Sequence, residues 1–120
     1  MKRIYVICPV RRANGNTSKI VSEYVSDLER CGNSVFYPER DVIQDDFITG
    51  GVNIVRTEMD AIRGADEVHI FWDKESKGSH FDLGVALALG KSVKLIHSFE
   101  KDSADKCYEK VIEWHQKRQE

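Results

Sequence analysis

Four runs dense in β-branched and aromatic residues, "RIYVICPV" (3–10), "SVFYP" (34–38), "DEVHIFWD" (66–73) and "KSVKLIHSF" (91–99), alternate with stretches whose apolar residues recur at helical spacing. No other feature of the chain restricts its fold as much. A strand buried on both faces reads as a continuous apolar run, and strands of that kind belong to parallel sheets, whose neighbours must be joined by helical crossovers. Between the first two runs, "TSKIVSEYVSDLERCG" places Ile20, Val21, Tyr24, Val25 and Leu28 on one stripe and stops at Gly32. Further helices are expected over "NIVRTEMDAIRGA" (53–65), "SHFDLGVALALG" (79–90) and "SADKCYEKVIEWHQKRQ" (103–119). The last should lay Val111, Ile112 and Trp114 on the sheet and turn its charges to solvent. "ERDVIQDDFITGG" (39–51) has no clean period and reads as a long irregular connection, a kind of segment that often carries function.

Alternating strands and helices predict an α/β domain with helices on both faces of a parallel sheet. Right-handed crossovers leave few topologies, and a flavodoxin-like or Rossmann-like three-layer domain of about 4–5 strands, with an order beginning 2-1-3-4, fits best. The 120 residues make one domain, 1–120. Ligands in such folds bind beyond the carboxyl ends of the strands, between β1 and β3, so the loops at 9–17 and 73–81 are expected to form the site.

Composition narrows the partners. With 41% hydrophobic residues, 32% charged residues and a net charge of −2, the chain has no basic track for a nucleic acid polymer. No stretch approaches the roughly 20 apolar residues of a membrane helix, and none resembles a signal peptide, so a cytoplasmic protein with no membrane partner is expected. Cys8, Cys31 and Cys107 are far apart, without a CxxC pair, and are expected to be buried thiols; the four histidines are scattered, and no metal site is expected.

The loop "PVRRANGNTS" (9–18) offers backbone N–H groups at a helix start, the hydroxyls of Thr17 and Ser18, and the guanidinium groups of Arg11 and Arg12. Those are the parts of a phosphate site. They read equally well as a helix capped by Asn16 or Thr17 beside solvated arginines. In the second loop, Ser79-His80-Phe81-Asp82 has the form of a capping box, with Asp82 complementing the helix dipole. A carboxylate there would also face the ligand crevice, where it suits a nucleophile toward a sugar C1. Spacing leaves both readings open.

"EMDAIRGADEVHIFWD" followed by "SKGSHFDLGVALALGKSV" resembles the nucleoside 2-deoxyribosyltransferase family, whose signature is an acidic residue and Ala-Asp before a strand, then G-x-x-x-E-L-G-x-A-x-A-L-G-K-P-V. The match spans about residues 57–96, with "IYVICPV" corresponding to the first strand. The resemblance implies an N-glycosidase or deoxyribosyltransferase acting on a nucleoside or its monophosphate through a covalent glycosyl-enzyme. It implies Asp82 as nucleophile, Glu58 as general acid to the leaving base and Tyr5 as the group orienting the nucleophile. Trp72 and Phe81 would stack on the base, and a homo-oligomer, a dimer or larger, is expected.

Two departures stand out. The family nucleophile is typically glutamate, and Asp82 falls about 1.5 Å shorter, an error large enough to slow a displacement severely. Ser76 stands where nucleoside-using members tend to carry an acidic residue. That serine, with Arg11, Gly78 and Ser79, is similar to the branch that hydrolyses deoxynucleoside 5-monophosphates, in which these positions hold the phosphate. The chain is therefore expected to take a nucleotide and to need no cofactor. A rival resemblance joins "CPVRRANGNTSKIVSEYV" (8–25) to the phosphate loop of flavodoxin-like FMN reductases, with Asn16, Thr17 and Ser18 cradling the FMN phosphate. Ile7-Cys8 replaces that family's Gly-Ser. A third alternative is a nucleotide sensor that has kept the pocket and lost the chemistry.

Overall fold

The computed structural model describes residues 1–10, 14–100 and 106–119. In chain order it contains β1 (Arg3–Ile7), α1 (Gly15–Arg30), β2 (Ser34–Phe36), α2 (Pro38–Asp41), α3 (Val52–Arg63), β3 (Glu67–Asp73), α4 (Lys77–Ala88), β4 (Ser92–Glu100) and α5 (Tyr108–Gln119). The four strands form one parallel sheet in the order β2-β1-β3-β4. The expected topology and alternation are therefore present.

The two faces carry separate cores. On one, Val21 and Val25 of α1 pack against Ile4, Val6, Val35 and Phe71, with Ile20, Tyr24 and Leu28 half-buried at the margin. On the other, α3, α4 and α5 contribute Ile62, Leu83, Ala86 and Ile112 against Tyr5, Ile70, Trp72 and Val93. Each strand alternates sides, as its pleat requires. Helix α1 ends in a Schellman turn: Gly32, at φ +90, lets Asn33 N–H reach Leu28 O at 3.2 Å. Helix α4 ends the same way, with Gly90 at φ +68 and Lys91 N–H on Ala86 O at 3.0 Å. Lys91 then donates its ammonium protons to Arg63 O and Ala65 O, tying the ends of α3 and α4 together.

Three expectations need correction. The 39–51 connection opens with a one-turn helix, because Pro38 sits where its missing N–H costs nothing. In α5 the buried side chains are Ile112 and His115, while Trp114 is 56% exposed beneath the Arg118 guanidinium. The polar histidine replaces the tryptophan inside because its Nε2 meets Lys91 O at 2.6 Å, so burial leaves that ring atom satisfied. Of the cysteines only Cys8 is buried; Cys31, which caps the C-terminus of α1, is exposed.

Candidate active site

A cavity of about 380 Å³ opens where β1 and β3 end side by side, a volume suited to a small organic ligand. It is lined by Cys8 and Val10, which follow β1, by Pro38, Gln44, Ile54 and Val55, and by the 75–78 segment with Phe81. Asp82 and Glu58 complete the lining, brought together by α4 and α3 from 24 residues apart.

The start of α4 differs from the sequence expectation. Asp73, at the end of β3, accepts the Glu75 N–H on Oδ1 at 2.9 Å and folds the chain back in a tight turn. Ser76 is then the N-cap, its Oγ accepting Ser79 N–H at 3.3 Å. The helix begins three residues before the Ser79–Asp82 capping box would start it, and that box does not form. Asp82 lies in the second turn, 3% exposed, and points at the sheet. Capping gives no account of it.

What holds Asp82 is a buried hydrogen bond: the Tyr5 hydroxyl donates to its Oδ2 at 2.8 Å. Its Oδ1 is sealed from solvent with no hydroxyl or amide donor in reach among the described residues, and the Glu58 carboxyl lies within hydrogen-bonding influence of Asp82. Two carboxyls can share a hydrogen bond only if one keeps its proton. Burial, then the negative charge of Asp82, pushes Glu58 up to about 8. Burial also lifts Asp82, to about 6, although the hydrogen bonds from Glu58 and Tyr5 pull against it. Both shifts run upward because burial disfavours two negative charges side by side, so the pair as a unit gives up its protons in two separate steps. Burial and the same two carboxylates raise the Tyr5 phenol far above its usual range, so it acts only as a donor.

Around the pair, Ser76, Lys77 and Gly78 present the N-terminus of a twelve-residue helix to the cavity. A Cβ added to Gly78 would meet no atom of the described residues within 4 Å. Glycine early in a helix costs about 1 kcal/mol relative to alanine, and no packing contact explains its presence here. Ser79 is buried, and its Oγ has no partner among the described residues.

No family model matches the sequence, and no curated protein matches it. Solved structures do. A 2-deoxyribosyltransferase from Bacillus psychrosaccharolyticus superposes with a TM-score of 0.69 at 22% identity, over 84% of this chain and 77% of that one. The fold is that of the nucleoside 2-deoxyribosyltransferase family. A 2-deoxyribosyltransferase from Leishmania mexicana gives a TM-score of 0.61 at 27% identity, over 84% of this chain and 67% of that one. A CMP N-glycosidase from Clostridium botulinum also gives 0.61, at 22% identity, over 87% and 75%.

On this deoxyribosyltransferase fold the chain's residues fall into three groups. Tyr5, Glu58, Ser76, Gly78, Ser79, Phe81 and Asp82 surround the cavity or support its floor. Trp72 does not: it is fully buried against His80 and Tyr108, on the core side of α4. Asn16 and Thr17 open α1 outside the cavity lining, and their N–H groups are already taken by Asn14 Oδ1 at 3.0 and 2.9 Å. Ser18 donates to the Glu39 carboxylate at 2.9 Å, which places negative charge where a phosphate loop would need positive. Arg11 and Arg12 lie outside the described residues. Sequence reasoning overlooked Cys8, Pro38, Gln44, Ile54 and Val55. The 39–51 segment carries no periodic signal, and only folding brings it over the site.

Proposed function

We propose that this protein cleaves or transfers the N-glycosidic bond of a nucleoside 5-monophosphate, with Asp82 as nucleophile and Glu58 as general acid. The observation that carries this reading is the pair of buried carboxyl groups, Glu58 and Asp82, lining one cavity with Asp82 held by the Tyr5 hydroxyl at 2.8 Å. Two acidic groups whose environments push their affinities apart are suited to opposite roles. Asp82, the stronger acid, supplies the carboxylate; Glu58, the weaker, supplies the proton.

The proton that covers Asp82 is the one the reaction consumes. As the C1–N bond breaks, its electron pair goes to the base nitrogen, which takes the Glu58 proton. An Asp82 oxygen, released from that proton, forms the new C1–O bond. Tyr5 keeps the other oxygen in place. Water or a second base then attacks C1 from the opposite side, the C1–O bond to Asp82 breaks and returns its electron pair to the carboxylate, giving overall retention, and Glu58, now ionised, accepts the proton of the incoming water. One mechanism serves hydrolysis and transfer, and the two differ only in which acceptor reaches C1.

The phosphate is assigned to the start of α4, where free N–H groups, Lys77 and the open face of Gly78 converge. A neutral residue at position 76, in place of an acidic one, removes a charge that would repel it. Two of the structural relatives are named as 2-deoxyribosyltransferases and one as a CMP N-glycosidase, which supports a substrate of this chemistry. A homo-oligomer working in the cytoplasm, without a cofactor, completes the proposal. The deciding experiment is chromatography of the free base released from nucleosides and their 5-monophosphates. Wild type should release base from monophosphates first, and Asp82→Asn should lose at least about 10³-fold. Absence of base from every substrate would overturn the enzymatic reading and leave the sensor.

A further inference from the structure

On the face of the sheet that α1 covers, three side chains that do not line the cavity are joined by two hydrogen bonds. The Tyr24 hydroxyl lies 2.6 Å from His69 Nδ1, and His69 Nε2 lies 2.9 Å from Glu67 Oε1, two residues earlier on β3. Lys2 at 2.6 Å and Lys94 at 3.4 Å flank the Glu67 carboxylate and hold it ionised. An ionised carboxylate only accepts, so Nε2 carries the proton, Nδ1 presents a lone pair, and Tyr24 is the donor. Burial lowers the proton affinity of the imidazole, which is neutral at pH 7 and able to take a proton. Hydroxyl, base and orienting carboxylate thus follow one another in the order of a nucleophilic triad.

Helices α3, α4 and α5 all pack on the opposite face, and beside Tyr24 the sheet is only partly covered. Tyr24 is half-buried. Phe71 meets its ring edge-on at 5.2 Å and stacks on Phe99 at 6.0 Å, and Phe99 and Ile96 of β4 are half-buried as well. The hydroxyl therefore adjoins an apolar shelf. We infer that Tyr24 is a second reactive site, accepting the acyl group of an activated ester with a short apolar chain, with His69 as its base and Glu67 positioning that base. Tyr24 Oη forms a bond to the acyl carbon while its proton passes to His69 Nδ1. The bond from that carbon to the leaving oxygen then breaks, and the electron pair goes to that oxygen, which takes the proton from His69. Glu67 balances the imidazolium charge between the two transfers. Burial, then Glu67, raises the Tyr24 phenol, so no phenolate is present beforehand and transfer to His69 must accompany attack. The inference is independent of the glycosidic reading.

The full chain would be treated with 4-nitrophenyl butyrate, with nitrophenolate release followed by absorbance and the acylated residue located by peptide mass mapping. Tyr24 should take up the butyryl group at least about 10²-fold faster than any other tyrosine. Tyr24→Phe should remove that label and leave the slow acylation of surface lysines. His69→Gln should lower labelling of Tyr24 to the rate of the other tyrosines, in a variant whose thermal melt shows it folded. Glu67→Gln keeps an acceptor for Nε2–H but loses the charge. The pH of half-maximal labelling should then fall, because the imidazolium loses its counter-charge while Lys2 and Lys94 remain. Label confined to lysines, Tyr24 labelled no faster than the other tyrosines, or a Tyr24 rate that survives His69→Gln overturns the inference. The first two outcomes are read on wild type alone, so the test stands even if a variant fails to fold.

Discussion

Asp82 has two neighbours that act on it in opposite ways. Tyr5 donates to it and favours its anionic form, whereas Glu58 competes with it for a proton. Activity should follow a bell in pH, rising as the pair loses its first proton near 6 and falling as Glu58 loses the second near 8. Tyr5→Phe removes the hydrogen bond that stabilises the carboxylate. Its acid limb should move to higher pH, with a loss of about 10-fold in kcat, read from pH–rate profiles. Glu58→Gln should abolish the alkaline limb and slow substrates with poor leaving bases most. Gly78 offers a different test. Gly78→Ala should stabilise the fold by about 0.5–1 kcal/mol in thermal melts while raising KM for monophosphates, because the added methyl fills ligand space and meets no atom of the described residues.

At the scale of elements, the site depends on where helices begin. Ser76 starts α4 and so turns Asp82 inward; a start at Ser79 would have left that carboxylate in the first turn among free N–H groups. Ser76→Ala should cost about 1 kcal/mol and Ser76→Gly only a few tenths, a ranking that thermal denaturation can check. Helix α3 begins at Gly51 with no side-chain cap of its own. Asp46 supplies one from a distance, accepting N–H groups of Asn53 and Ile54 and the Thr49 hydroxyl. This contact also pins the segment that carries Gln44. Asp46→Asn should loosen both ends, appearing as faster amide exchange across 44–54 together with a raised KM.

Over the whole molecule, ionisation makes stability depend on pH from both sides. Glu58 holds its proton in the folded state to about 8 but releases it near 4.5 when unfolded, so the folded state binds more protons between those values and stability falls as pH rises through them. Glu67 behaves oppositely. Lys2 first, then His69 and Lys94, hold it down to about 2, and the stability it contributes is lost as pH drops from about 4.5 toward 2. Urea denaturation from pH 3 to 9 should therefore show a maximum near pH 5. Glu58→Gln should flatten the alkaline decline and leave the acid side unchanged.

Fold class, strand order and the neighbourhood of the site were legible in the sequence, because they rest on local signals. Apolar runs of strand length, the helical stripe of α1 and the glycines at positions 32 and 90 act over a few residues, and crossover handedness then leaves few ways to assemble them. The pairing of Glu58 with Asp82 was legible only through resemblance, and its two-step loss of protons not at all. Proton affinity depends on burial and on neighbours brought from α3, α4 and β1, which no spacing encodes. The true cap of α4, the inward turn of His115 in place of Trp114, and the placing of Gln44 in the cavity wall were likewise decided by tertiary structure. For His115 the reason is plain: a local preference yielded to pairing its buried ring nitrogen with Lys91 O, a partner that exists only once α5 meets the end of α4.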